Sequence, residues 1–89
     1  MWFVYIVRCA DTTLYTGVTT DITRRLREHN GEIIRGASYT KLRRPVTLVY
    51  TENTDTRSHA MKLERAIKHL PKQKKELLIS AFSPQLDSL

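Results

Sequence analysis

The chain reads as an α+β domain: a three-stranded, mostly antiparallel sheet flanked by helices, in the order strand, strand, helix, strand, helix, helix. Three observations predict it. Two runs rich in β-branched and aromatic residues, 2–8 and 14–19, flank the polar stretch Ala10-Asp11-Thr12-Thr13, which is the pattern of a hairpin. A third run of this kind, Val46-Thr47-Leu48-Val49-Tyr50-Thr51, follows Pro45. Elsewhere apolar residues recur at helical spacing, Ile22 with Leu26 and then Ala60, Leu63, Ile67 and Leu70.

Taken in order, the first helix is expected to start at Thr20 or Asp21, whose short side-chain oxygens can accept a bond from an orphaned backbone amide. It runs to His29 and ends at Asn30-Gly31. From Glu32 to Arg44 the pattern is irregular and basic, with Gly31 and Gly36 as breakers, and reads as a loop. Thr54 or Asp55 caps a second helix over about 56–69. Pro71 then breaks that helix or sits in the first turn of a last one through Leu77, Leu78 and Ile79. A single domain is expected over residues 1–82, with 83–89 a loose tail. Three strands under a helical cover are close to the smallest sheet that stands alone in water, so the core must be small.

The 89 residues carry 15 Lys and Arg against 9 Asp and Glu, a formal charge of +6. That field attracts polyanions over roughly 8 to 10 Å in physiological salt, so nucleic acid is the first partner to consider. No apolar run approaches the ~20 residues that span a bilayer. The stretch from Trp2 to Val7 has no basic region before it and reads as a strand and not as a secretion signal. With Cys9 the only cysteine, no internal disulfide can form, and a cytoplasmic location is expected.

Several side chains in these elements carry chemistry. Tyr5 and Tyr15 offer two phenols from the hairpin, and they share one face only if the register pairs odd residues with odd, because side chains alternate along a strand. On the first helix, at about 100° per residue, Arg25 falls about 60° and His29 about 20° to the same side of the apolar position Ile22. An arginine at the margin of an apolar stripe is costly without a charge partner, and a phosphate would serve. Glu64 lies about 40° from Ala60 on the later helix, at the edge of its buried face, where it could hold a metal. Each has a plain reading when taken alone: strand packing for the tyrosines, a bulge or close backbone approach for Gly17, a snorkelling surface arginine, a histidine at a helix C-terminus, and an ion pair of Glu64 with Lys68. Arg35, Lys41, Arg43 and Arg44 around Tyr39 form a candidate nucleic-acid-binding loop with one stacking aromatic.

Together, Phe3-Val4-Tyr5, Leu14-Tyr15-Thr16-Gly17, Arg25, His29 and Glu64 resemble the motifs of the GIY-YIG nuclease superfamily, over roughly residues 2 to 70. The stretch Ala37-Ser38-Tyr39-Thr40, with Arg43-Arg44-Pro45 and Leu48-Val49-Tyr50, is similar to its small stand-alone bacterial members. The resemblance implies a three-stranded antiparallel sheet with flanking helices and hydrolysis of a nucleic-acid phosphodiester, DNA before RNA, with one divalent ion, Mg²⁺ or Mn²⁺. It makes Tyr5 and Tyr15 the motif tyrosines, Gly17 the motif glycine, Arg25 the catalytic arginine, His29 the accessory histidine and Glu64 the metal ligand. Two departures stand out: Phe3 occupies the place of the name-giving glycine, and no asparagine follows Glu64. The alternatives are a catalytically idle nucleic-acid-binding module and an interaction protein with an acidic partner. A nuclease this small would choose its substrate by structure or through a targeting protein partner.

Overall fold

The structure, a computed structural model, describes residues 1–32 and 38–87, apart from the side chains of 38 and 83–87. Strand β1 (Trp2–Arg8) lies at the centre of a three-stranded antiparallel sheet, with β2 (Leu14–Thr19) on one side and β3 (Thr47–Thr54) on the other. Between β2 and β3 come helix α1 (Ile22–His29) and a short helix, α2 (Ser38–Lys41). Helices α3 (Arg57–Lys68) and α4 (Lys72–Asp87) follow β3. The α+β class and the antiparallel sheet read from the sequence are the ones observed.

The hairpin register pairs Tyr5 with Gly17 and Val7 with Tyr15, so odd residues do face odd residues and both tyrosines project from one side of the sheet. A bulge in β3 sits between Ile6 and Val7 of the partner strand, which pair with Tyr50 and Leu48 respectively. The extra residue turns Leu48 to the tyrosine side and leaves Val49 and Tyr50 on the other, and each joins the apolar cluster of its own side.

Those two clusters divide the core by the parity of β1. Val4 and Ile6, both fully buried, pack with Ala60 and Ile67 of α3 and Ile79 of α4. Tyr5, Val7 and Cys9 pack on the opposite side with Val46, Leu48 and the α1 residues Ile22 and Leu26. Helix α1 therefore covers the tyrosine side, and α3 and α4 cover the other.

Local chemistry fixes the ends of the elements. Asp21 is the N-cap of α1, accepting from the Arg24 amide at 3.0 Å. The cap of α3 is Thr56, accepting from His59 N at 3.1 Å, and not Thr54 or Asp55 as the sequence suggested. Thr54 remains in β3, which reaches three residues past the predicted Thr51 because the polar segment Thr51–Thr54 pairs with the first half of β1. Pro71 precedes α4, its carbonyl accepting from Lys74 N at 3.0 Å and Lys75 N at 3.2 Å. The backbone of α4 continues through Ser83, where a loose tail is expected, to Asp87. A bidentate pair from Arg8 to Glu76, at 2.9 and 2.6 Å, ties the end of β1 to α4.

Candidate active site

The tyrosine side of the sheet carries the site. Tyr5 is 2% exposed and its ring lies over Gly17 of the neighbouring strand: a Cβ at position 17 would stand 2.5 Å from the Tyr5 hydroxyl and 2.7 Å from Cζ. Glycine is needed here for close approach, because any side chain would occupy the space of the ring. From the end of α1, His29 is fully buried and places Nε2 2.8 Å from the Tyr5 hydroxyl. Its Nδ1 is 2.8 Å from Oγ1 of Thr40 in α2, also fully buried. One turn earlier on α1, Arg25 donates from Nε to the Tyr5 oxygen at 3.3 Å and from a terminal nitrogen to Glu28 Oε1 at 2.7 Å.

Tyr15 leans on this group from β2. Its ring centroid is 5.1 Å from that of His29, 6.5 Å from that of Tyr5 and 5.8 Å from that of Tyr39. The Arg43 guanidinium sits 4.2 Å from the centre of the Tyr39 ring and bonds to Asp11 in the hairpin turn at 3.1 Å. Four rings thus run from the half-exposed Tyr39 through Tyr15 and His29 to the buried Tyr5. Glu64, on α3, is close enough for its charge to act on the Tyr5 hydroxyl. Its carboxylate also lies 3.7 Å from Lys68 Nζ, an ion pair with one exposed partner.

Burial sets the protonation states. It pushes the Tyr5 hydroxyl up to about 12, against the opposing pull of the Arg25 hydrogen bond and charge. Burial, reinforced by the Arg25 charge, takes His29 down to about 4, so the imidazole is neutral at pH 7. Arg25 is partly desolvated, but its bonds to Glu28 and Tyr5 hold it firmly protonated.

The structure brings Tyr5, Tyr15, Arg25 and His29 into one constellation and sets Glu64 within electrostatic reach of it. The basic loop divides. Arg44 donates to the His29 carbonyl at 2.5 Å and the Glu28 carbonyl at 3.4 Å, closing the end of α1, and its guanidinium fills the space beside Gly31, whose φ of +80° suits glycine. Lys41 is exposed, Arg43 stacks on Tyr39, and Arg35 lies outside the described residues. Two site residues escape the sequence reading. Glu28, three residues after Arg25, had a signal in its helical spacing; Thr40 stands in the stretch Ala37-Ser38-Tyr39-Thr40, but no spacing rule links it to a partner eleven residues away. Among the described residues one buried side-chain polar atom, Thr51 Oγ1, has no partner, and Thr51 pairs with Tyr5 in the sheet.

A central β1 whose tyrosine lies against a glycine of β2 thus receives an arginine and a histidine from the next helix. The chain belongs to the GIY-YIG family: the GIY-YIG catalytic domain matches residues 1–76. It is similar to the UPF0213 protein of Desulfotalea psychrophila, 58% identical over 80 residues that cover 90% of this chain and 72% of that one. A UPF0213 protein of Natronomonas pharaonis is 52% identical over 79 residues, covering 88% and 89% of the two chains. Among solved structures, the solution structure of a UPF0213 protein from Bacillus halodurans matches with a TM-score of 0.58 at 43% identity, covering 91% of this chain and 85% of that one. No helix of the described residues is long and apolar enough to cross a membrane.

Proposed function

We propose that this domain is a metal-dependent endonuclease that hydrolyses phosphodiester bonds of nucleic acid, with DNA the preferred substrate. The observation that carries the reading is the convergence on the Tyr5 hydroxyl of a fixed cation, Arg25, a neutral imidazole, His29, and the charge of Glu64. A packing tyrosine needs none of these.

In this reading Arg25 neutralises charge on the phosphoryl oxygens, which its planar fork suits better than a lysine would. Tyr5, held by Arg25 and His29 and raised to about 12, stays a neutral phenol and fixes the guanidinium. Tyr15 is less buried and has no hydrogen-bond partner among the described residues, so it is the phenol positioned to orient or deprotonate the attacking water. The donor set fits one kind of ion. Among the described residues no three His, Cys, Asp or Glu side chains gather. A single carboxylate, Glu64, suits Mg²⁺ or Mn²⁺, which keep waters and take substrate phosphate oxygens to complete their shell. When bound, such an ion supplies Lewis-acid stabilisation of the phosphoryl and leaving oxygens. The stacking of Arg43 on Tyr39 supports a phosphate-tracking role for this basic stretch, with Lys41, Arg35 and Arg44 contributing charge in sequence.

The test compares wild type with Glu64→Ala, both shown folded by circular dichroism, on labelled single-stranded, duplex and branched DNA and on RNA in Mg²⁺ or Mn²⁺. Wild type is expected to cut in a metal-dependent way, and the variant to lose on the order of 100-fold or more of that rate. If neither protein cuts while both bind with equal, salt-sensitive affinity, the domain is an idle nucleic-acid-binding module and the catalytic reading fails.

A further inference from the structure

The hydrogen bonds around Tyr5 have a direction that the donor and acceptor chemistry of its neighbours constrains. Arg25 Nε–H can only donate, so at 3.3 Å the Tyr5 oxygen is its acceptor. The second neighbour of that oxygen is His29 Nε2, at 2.8 Å, and the contact permits two arrangements. If Nε2 carried a proton, the Tyr5 oxygen would accept twice. Its own proton would then need a third partner, and among the described residues it has none beyond Arg25 and His29. A hydroxyl proton left unpaired in a residue 2% exposed is costly. Tyr5 therefore donates to a bare Nε2. A neutral imidazole then has its proton on Nδ1, which lies 2.8 Å from Thr40 Oγ1.

We infer that Thr40 is a positioning residue of this site: its buried hydroxyl accepts from His29 Nδ1–H and selects the tautomer whose free Nε2 takes the Tyr5 proton, turning the Tyr5 oxygen's lone pair toward Arg25. The chain of bonds runs one way, from Arg25 to Tyr5 to His29 to Thr40. His29 is neutral at pH 7, as this requires, because burial and the Arg25 charge both oppose its protonation. Contacts on and beside Thr40 hold it in place. Its neighbour Tyr39 lies against Tyr15, and the Arg43 amide bonds to the Thr40 carbonyl at 2.9 Å. A short helix outside the sheet thus sets the orientation of the arginine through two intervening side chains. The effect on catalysis rests on the nuclease reading; the tautomer does not.

The test reads the tautomer directly, from two-bond ¹H–¹⁵N correlations of the histidine side chains in the ¹⁵N-labelled full chain at pH 7. The His29 signals are assigned by their loss in His29→Gln. Wild type and Thr40→Ser are expected to carry the proton on Nδ1. Thr40→Val, equal in shape but without the hydroxyl, is expected to show protonated Nε2. A wild-type His29 protonated on Nε2 overturns the inference without recourse to any variant, and so does a folded Thr40→Val that keeps the wild-type pattern. In the cleavage assay Thr40→Val is expected to lose about 10-fold in rate with Thr40→Ser restoring it; equal rates for all three remove the link to Arg25. A wild type that cuts nothing defeats the nuclease proposal and leaves the tautomer result standing.

Discussion

The two sides of β1 teach different lessons from alternate residues of one strand. On one, Val4 and Ile6 meet Ala60, Ile67 and Ile79, and the buried contact is made by apolar side chains. On the other, Tyr5 is buried among an arginine, an imidazole and a threonine hydroxyl, all hydrogen-bonded. The first side stabilises by removing apolar area from water and tolerates any well-fitting hydrophobe. Geometry is what holds the second together, and a small displacement there leaves buried polar atoms without partners.

The contrast can be broken most severely on the apolar side. Ile6→Ala is expected to cost about 2 to 5 kcal/mol of unfolding free energy in urea titration, because Ile6 is fully buried and its cavity cannot fill. Cleavage by the fraction that remains folded should be little changed. A loss of rate in the folded protein would show that the two sides are not independent.

A smaller effect on stability and a larger one on chemistry are expected from Gly17→Ala. The added methyl stands 2.5 Å from the Tyr5 hydroxyl and must displace a ring held by His29 and Arg25. Overpacking of this kind costs about 1 to 3 kcal/mol. Cleavage should fall with it, while near-ultraviolet circular dichroism reports the moved tyrosine. Unchanged activity would mean that the Tyr5 position is not critical.

A third expected effect separates the sides by pH. The folded pKa of His29 is about 4, against an ordinary 6.5, so between these values the unfolded chain binds a proton that the folded chain refuses. Stability through this group is therefore fully present above about 6.5 and is lost as pH falls toward about 4. Urea midpoints at pH 7 and 4.5 should show a drop in wild type that is reduced in His29→Gln. An equal drop in both would place the acid sensitivity elsewhere.

Most of the frame was legible in the sequence, and the physical reason is burial on both faces of the sheet. Strands 2–8 and 14–19 emerged with their observed bounds because a strand covered on both faces takes a β-branched or aromatic residue at nearly every place. The far end of β3 did not, since an edge strand can be polar where only its backbone is used, as at Glu52 and Asn53. Helix α2 was read as loop: four residues show no period, and Thr40 and Tyr39 are held by contacts with His29 and Tyr15. In the site, Tyr5, Tyr15, Arg25 and His29 were found as residue types in a pattern, whereas their bonding was not. The pairing of Arg25 with Glu28 and the use of Arg44 to close α1 depend on where α1 ends and the loop returns.

The strand at the middle of the sheet is also the one nearest the start of the sequence. During synthesis β1 acquires β2 within a few residues of a turn, but its other edge waits for β3, which begins at Thr47 and pairs as far out as Trp2 with Thr54. Until that segment has left the ribosome, a nascent chain presents the backbone edge of Val4 to Val7 with half its ladder unfilled, and such edges invite pairing with other chains. Order of synthesis thus leaves one edge of the central strand open until residues 47–54 emerge to fill it.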